Sequence, residues 1–192
     1  MKVLGISVLV GVVLTGALLT AQTPQQAAPV SANPLTDQIR GYFERVKGFL
    51  TRSIDMVPAD KWTWAPTPDV RSYARMFGHI TDDNNGGCWQ LAGLPARPEG
   101  VDSPANNESR AHKLSREELK KAYLDSFALC DKAFTMVNDQ NMATPSVAGG
   151  RGTRLGQLAY NWSHINEHYG NLVTYFRLNG IVPPSSAGRG GF

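Results

Sequence analysis

The stretch TRLGQLAYNWSHINEHYGNLVTYFRLNG, residues 153–180, decides the fold class because it carries the longest helical pattern in the chain. Apolar side chains recur along it every three or four residues, at Leu155, Leu158, Trp162, Ile165, Tyr169, Leu172, Val173 and Phe176. This is the period of an α-helix with one face packed on a core. Gly180 and the prolines that follow it stop the helix, so we predict helix four from about Thr153 to Asn179.

Three earlier segments repeat this pattern. The first predicted helix runs from about Pro34 to Met56, with Asn33 as its N-cap and proline in the first helical position. The second starts at Thr67-Pro68, and we expect it to bend or fray at Gly86-Gly87. The third opens with Ser115-Arg-Glu-Glu118, which has the form of a capping box.

These four segments predict an all-α fold, an antiparallel four-helix bundle, because no segment shows a convincing two-residue alternation of strands. Long loops are expected after helix two, at residues 92–114, and after helix three, at residues 139–152. Trp62 and Trp64 lie in a proline-rich segment between helices one and two, and should fold back on the bundle as apolar anchors. The bundle is predicted to cover residues 34–184.

The segment before the bundle reads as a signal peptide over residues 1–21, with a basic start, an apolar run at 3–19 and a small-residue cleavage point after Ala21. An uncleaved membrane anchor is the alternative, since the run is close to the shortest that spans a bilayer. Gly11 and Gly16 interrupt the run and no basic cluster follows it, which favours cleavage. Residues 22–33 are predicted to be a flexible lead-in and residues 185–192 a disordered tail.

Cleavage implies an exported protein, periplasmic or extracellular in a bacterium, with no stable membrane span left. Cys88 and Cys130 are the two cysteines, and outside the reducing cytosol they favour a disulfide, with two buried thiols as the alternative. Each lies on the apolar face of its predicted helix, so a bond between helices two and three is reasonable. Without Lys2 the net charge is +2, which with no basic stripe excludes nucleic acid as an expected partner.

A second stripe lies beside the apolar one on helix four, and its side chains can coordinate a metal or form hydrogen bonds: Gln157, Asn161, His164, His168 and Tyr175. His164 and His168 are four residues apart, so their imidazoles share one helical face within reach of one ion. His79 lies on the flank of the apolar face of helix two. Three imidazoles and an open position are typical of catalytic zinc sites.

Asp83 follows His79 by one helical turn and could serve as a fourth ligand, a general base, or an acceptor for a histidine N–H. Asn161 is a second candidate for proton handling or for supporting a ligand. The alternative is that the histidines are hydrogen-bonded structural residues at the edge of the core. His112 precedes the cap of helix three and is expected on the surface.

Four stretches then follow one another in a recognisable order: Pro66-Thr-Pro-Asp-Val-Arg-Ser72, Gly78-His79-Ile80, His164-Ile-Asn-Glu-His-Tyr-Gly170 and Tyr175-Phe-Arg-Leu-Asn-Gly-Ile-Val-Pro-Pro-Ser-Ser186. In this order the chain resembles the DinB-like (damage-inducible) superfamily, its exported members in particular, over about residues 34–186. The resemblance implies an antiparallel four-helix bundle with a long crossover. It also implies one divalent ion, zinc, nickel or iron, held by His79, His164 and His168.

Relatives of this kind include thiol-dependent S-transferases, a maleylpyruvate isomerase and hydrolases. The transferases use small cytosolic thiols, so the predicted export weakens the case for thiol transfer and leaves the metal site. We therefore expect a metal-dependent hydrolase or transferase that acts on a small molecule in the cell envelope. A non-catalytic metal- or ligand-binding module of the periplasm is the alternative, and a homodimer is left open.

Overall fold

The computed structural model describes residues 31–101, 113–146 and 152–187. The predicted signal peptide, most of the lead-in, His112 and residues 188–192 lie outside these ranges. Within them the chain forms no β-strand, and its helices are α1 Pro34–Met56, a 3₁₀ helix Ala59–Lys61, α2 Tyr73–Cys88, α3 Arg116–Met136 and α4 Arg154–Leu178. The predicted all-α four-helix bundle is confirmed.

The antiparallel helix pairs are α1 with α3 and α2 with α4. Lys47 of α1 contacts Asp131 near the end of α3, whereas Asp55 at the end of α1 contacts Lys120 near the start of α3. Tyr73 at the start of α2 packs on Phe176 at the end of α4, and Asn84 near the end of α2 bonds to Asn161 in the first half of α4. These two pairs therefore run in opposite directions.

The other two adjacent pairs run in the same direction. Phe77 of α2 packs on Tyr123 of α3, and further towards the C-terminal end of both helices Cys88 is bonded to Cys130. In the same way, contacts from α1 to α4 advance along both helices, from Tyr42 on Trp162 to Phe49 on Tyr169. Two consecutive helices that point the same way need a connection as long as the bundle, which is why a long crossover follows α2.

Helix α1 has the predicted bounds, but its first turn is capped by a residue distant in sequence. The side chain of Asn33 makes no cap bond. Instead, the carboxylate of Asp139 accepts hydrogen bonds from the backbone N–H groups of Leu35 at 3.1 Å and Thr36 at 2.9 Å. Removal from water acts to raise the pKa of Asp139, but these bonds outweigh it and hold the pKa below its usual value.

Helix α2 begins at Tyr73, so the prediction that it starts at Thr67-Pro68 was wrong. The cap is Ser72, whose hydroxyl accepts a hydrogen bond from the N–H of Arg75 at 3.3 Å. A tertiary hydrogen bond explains the difference, because the N–H of Tyr73 donates to the carbonyl of Trp64 at 3.2 Å. The proline-rich segment is thereby tied to the helix start as a non-helical lead-in.

The remaining caps and anchors agree with the sequence. Ser115 and Glu118 form the reciprocal capping box of α3. Trp62 folds back and stacks on Phe77 with ring centroids 5.8 Å apart, and Trp64 lies edge-on to Tyr175. Large aromatic side chains of this kind close the end of the core beside the start of α2.

Cys88 and Cys130 form the predicted disulfide, with a Cα–Cα distance of 5.0 Å. It joins the two parallel helices on either side of the crossover. None of the helices in the described residues has the length and hydrophobicity needed to span a bilayer.

The ordered contacts continue past α4. Gly180 takes a positive φ of 70°, which an L side chain rarely adopts, and turns the chain back. The N–H of Ser185 donates to the hydroxyl of Tyr169 at 2.9 Å, and Arg177 donates to the hydroxyl of Ser186 at 3.1 Å. The first residues of the predicted tail therefore contact α4.

Removing the disulfide should destabilise the fold. A Cys88→Ala/Cys130→Ala variant loses a cross-link between residues separated by 42 positions, worth about 4 kcal/mol by loop-closure entropy. Urea unfolding of the oxidised wild type and the variant measures this difference in the free energy of unfolding. Equal free energies in the two proteins would show that the cross-link does not constrain the unfolded chain.

Asp139→Asn should lower the melting temperature at pH 7. A carboxyl group whose pKa is lower in the folded state contributes stability above its unfolded pKa and loses it as the pH falls through the folded pKa. The difference between the two proteins should therefore shrink when the melts are repeated at decreasing pH below about 4. Asp60→Asn, at a side chain 75% exposed, is the matched control and should show little effect at any pH.

Candidate metal centre

The antiparallel packing of α2 on α4 brings two i, i+4 pairs face to face. His79 and Asp83 come from α2, and His164 and His168 come from α4. One ligand atom from each of the four residues lies within 4.8 Å of the other three. The three histidines singled out from the sequence are therefore neighbours in space, and Asp83 lies among them.

The carboxylate of Asp83 is at the centre of the group. Its Oδ2 is 3.2 Å from Nε2 of His79, 3.5 Å from Nδ1 of His164 and 3.5 Å from Nε2 of His168. Two of these atoms, Oδ2 of Asp83 and Nε2 of His168, are buried and have no hydrogen-bond partner among the described residues. Each buried polar atom left unpaired costs about 1–3 kcal/mol.

A divalent cation would satisfy both orphaned atoms, so the residues present fit such an ion. Imidazole nitrogen with a carboxylate oxygen is a donor set that suits zinc, nickel or iron. The histidines are half-buried or buried, and the side chain of His168 is only 6% exposed. Burial also limits competition from water for the donors.

The electrostatics keep an imidazole in the form that binds metal. Burial is the main cause that lowers the pKa of His79, Asp83 opposes it, and Arg71, His168 and His164 add to it, so that the pKa is about 4. At neutral pH the ring of His79 is therefore uncharged and one nitrogen carries a free lone pair.

A cleft of about 240 Å³ opens on one side of the group. Asp83 and His164 form part of its wall, together with the polar side chains of Arg97, Gln157 and Tyr160. The ring of Tyr160 lies 5.4 Å from that of His164, centroid to centroid. A small polar molecule could reach the group from this side.

Arg97 is a cleft residue that the sequence analysis missed. It lies in the crossover after α2 and donates a hydrogen bond to the carbonyl of Asp82 at 2.9 Å. A Cβ on Gly86 would be 3.1 Å from Nη2 of Arg97, and one on Gly87 would be 3.2 Å from Nδ2 of Asn161. The glycine pair makes room for the side chains of Arg97 and Asn161, and α2 continues through the pair to Cys88. In the sequence, Gly86-Gly87 was the signal that other side chains approach the helix closely at this point.

Asn161, the second candidate from the sequence, lies beside the group and outside it. It is buried and lines the cleft, and its Nδ2 donates to Oδ1 of Asn84 at 3.1 Å. Asn84 in turn donates to the hydroxyl of Ser126 on α3 at 3.2 Å. This chain of side-chain bonds ties α4 to α2 and α3 one turn from His164.

The protein is thus a four-helix bundle that carries a histidine–aspartate group compatible with a bound metal ion. The family model of the DinB superfamily matches residues 22–172. The chain therefore belongs to the DinB superfamily. No curated protein matches it.

A His164→Ala/His168→Ala variant should lose the metal. The untagged wild type, loaded with zinc, nickel or iron and then dialysed, is expected to hold about one ion per chain by elemental analysis, and chelation should lower its melting temperature, because a ligand of the native state stabilises it. His112→Ala, at the histidine outside the described residues, is the matched control. Stoichiometric metal in the double variant would contradict the assignment of these ligands.

Proposed function

We propose that the protein is a divalent-metal-dependent hydrolase or transferase that acts on a small molecule in the cell envelope, with His79, His164 and His168 as ligands of the ion. The observation that carries this proposal is the pair of buried, unpaired donor atoms of Asp83 and His168, of which Asp83 belongs to the wall of a polar cleft. Such a site combines a place for a cation with access for a small substrate.

The ion, when bound, would act as a Lewis acid that polarises a carbonyl or acidifies water. The chain supplies what surrounds it. His164 forms part of the cleft wall, whereas His168 is almost fully buried behind it. His164 is therefore accessible from the cleft, whereas His168 is packed in the helix core.

Asp83 is the acid–base group of the proposal. Its side chain is 17% exposed and forms part of the cleft wall, so its carboxylate can accept a proton from a group that enters the cleft and return it to a leaving group. Asn161 acts as a positioning residue, since its bond to Asn84 holds α4 against α2 one turn from His164.

The other cleft side chains would bind and orient the substrate. The guanidinium of Arg97 offers donors and positive charge to an oxygen on which negative charge develops. The exposed hydroxyl of Tyr160 can donate a hydrogen bond close to His164. The mixture of charged and neutral donors favours a small polar substrate over an apolar one.

The proposed location is outside the cytosol, in the periplasm or beyond it. The Cys88–Cys130 disulfide supports this location, because such bonds persist in oxidising compartments. The basic start and apolar run of the first 21 residues support it independently.

One observation favours a second candidate, a non-catalytic metal- or ligand-binding module of the periplasm. Asp83 is so close to all three histidines that it can complete a set of four protein ligands. Structural metal sites are closed in this way, whereas catalytic sites keep a position open. The role of Asp83 therefore separates the two functions.

Asp83→Asn distinguishes them. In an enzyme that uses Asp83 as base, the variant should keep stoichiometric metal and lose about 10²- to 10⁴-fold in turnover on a panel of esters, amides and thiol acceptors. In a closed binding site the variant should bind metal more weakly, and the wild type should turn over nothing on the panel. Asp125→Asn, at an exposed carboxylate on α3, is the matched control. Turnover that survives removal of the metal would refute the enzyme proposed here.

A further inference from the structure

A cavity of about 660 Å³ lies on the side of the histidine group away from the cleft. The cavity is bordered by Arg71, Arg75 and Met76 at the start of α2 and by Asn171 and Tyr175 towards the end of α4. Its volume is that of an ordinary small-molecule site.

Helical register places this cavity next to the histidine group. Arg75 lies four residues before His79, so it is one turn away on the same face of α2. On α4, Asn171 follows His168 by three residues, and its Nδ2 lies 3.5 Å from Nδ1 of that histidine. The cavity and the smaller cleft therefore lie on opposite sides of the histidine group along the α2–α4 contact.

The cavity carries more positive than negative charge. Arg71 and Arg75 are half-buried, and Asp69, an exposed carboxylate at the rim, is the acidic residue of its lining. The hydroxyl of Tyr175 donates to the carbonyl of Arg71 at 2.9 Å, which fixes the lead-in segment against α4. Arg71 is thus held as part of the wall by a contact between two elements.

Neither arginine belongs to the histidine group, whose members are His79, Asp83, His164 and His168. A negative group bound at Arg71 and Arg75 would therefore not enter the set of metal donors.

We propose that the cavity lined by Arg71 and Arg75 binds the anionic group, a carboxylate or a phosphate, of a small molecule whose reactive part lies at the histidine group. The second half of this statement rests on the proposed function, whereas anion binding at the arginines does not. Guanidinium groups suit this ligand because their planar donors pair with two oxygens of a carboxylate or phosphate at once. The substrate class is then an anionic small molecule rather than a neutral or cationic one.

The test is anion binding by the metal-free, chelator-treated protein. Inorganic phosphate and succinate are titrated separately at constant ionic strength and followed by calorimetry and by amide chemical shifts. The wild type should bind at least one of the two saturably, and an Arg71→Gln/Arg75→Gln variant should bind about tenfold or more weakly. The tighter of the two probes assigns the ligand group as phosphate or carboxylate.

The matched control removes the same charge elsewhere. Arg45→Gln/Lys132→Gln, at two exposed side chains on α1 and α3, should bind the probe within about twofold of the wild type. If the arginine double variant does not fold, Arg75→Lys keeps the charge and loses the planar fork. Shifts in the wild type should then centre on Asn171 and Tyr175.

The outcomes separate this inference from the proposed function. No saturable binding by the wild type, equal binding by the arginine variant, or shifts centred away from the cavity would overturn the anion site. The arginine variant should still hold one metal ion, because neither residue belongs to the histidine group. A His164→Ala/His168→Ala variant that keeps both metal and anion would refute the assignment of these histidines as metal ligands. The same result would be consistent with the anion site.

Discussion

A carboxylate oxygen buried among three imidazoles is unfavourable unless a cation joins them, and the contact of α2 with α4 is built around that arrangement. Oδ2 of Asp83 has three histidine nitrogens within 3.5 Å and, in the part of the chain that the structure describes, no hydrogen-bond partner. Helices free to separate would let water reach these atoms. The interface instead holds them together. Buried polar atoms that lack a hydrogen-bond partner are rare in native structures, and they are found chiefly at functional sites.

The rest of the fold keeps those two helices in place. On one side of the group the buried amides of Asn84 and Asn161 bond to each other, and on the other side Tyr73 packs on Phe176. The Cys88–Cys130 bond then joins α2 to α3. Because α2 and α3 are parallel, the long crossover has to return along the bundle. Its path brings Arg97 to the cleft, so the topology that fixes the group also supplies a wall for it.

The local sequence pattern was enough to predict the helices, and the proximity of the three histidines was inferred from the helix positions. An i, i+4 pair on α4 and a flanking histidine on α2 can meet only if those helices are adjacent, and the resemblance to the DinB superfamily indicated that they are. The capping of α1 by Asp139 could not be predicted from local sequence, since it joins positions more than 100 residues apart. The start of α2 was mispredicted for a similar reason. Proline at 68 is a good local signal, but the tertiary bond between Tyr73 and Trp64 decides the boundary.

The role of Asp83, as a ligand or as a base, has to be consistent with the charges on both sides of the histidine group. As a ligand it would neutralise part of the charge of the ion and close the site, whereas as a base it must turn towards the cleft that it lines. Positive charge on both sides bears on this choice, because Arg97 lies in the cleft and Arg71 beyond the histidines. An anionic substrate anchored at one end would place its own oxygen near the ion. That oxygen would compete with Asp83 for the ion, so substrate binding itself would favour the carboxylate in the role of base.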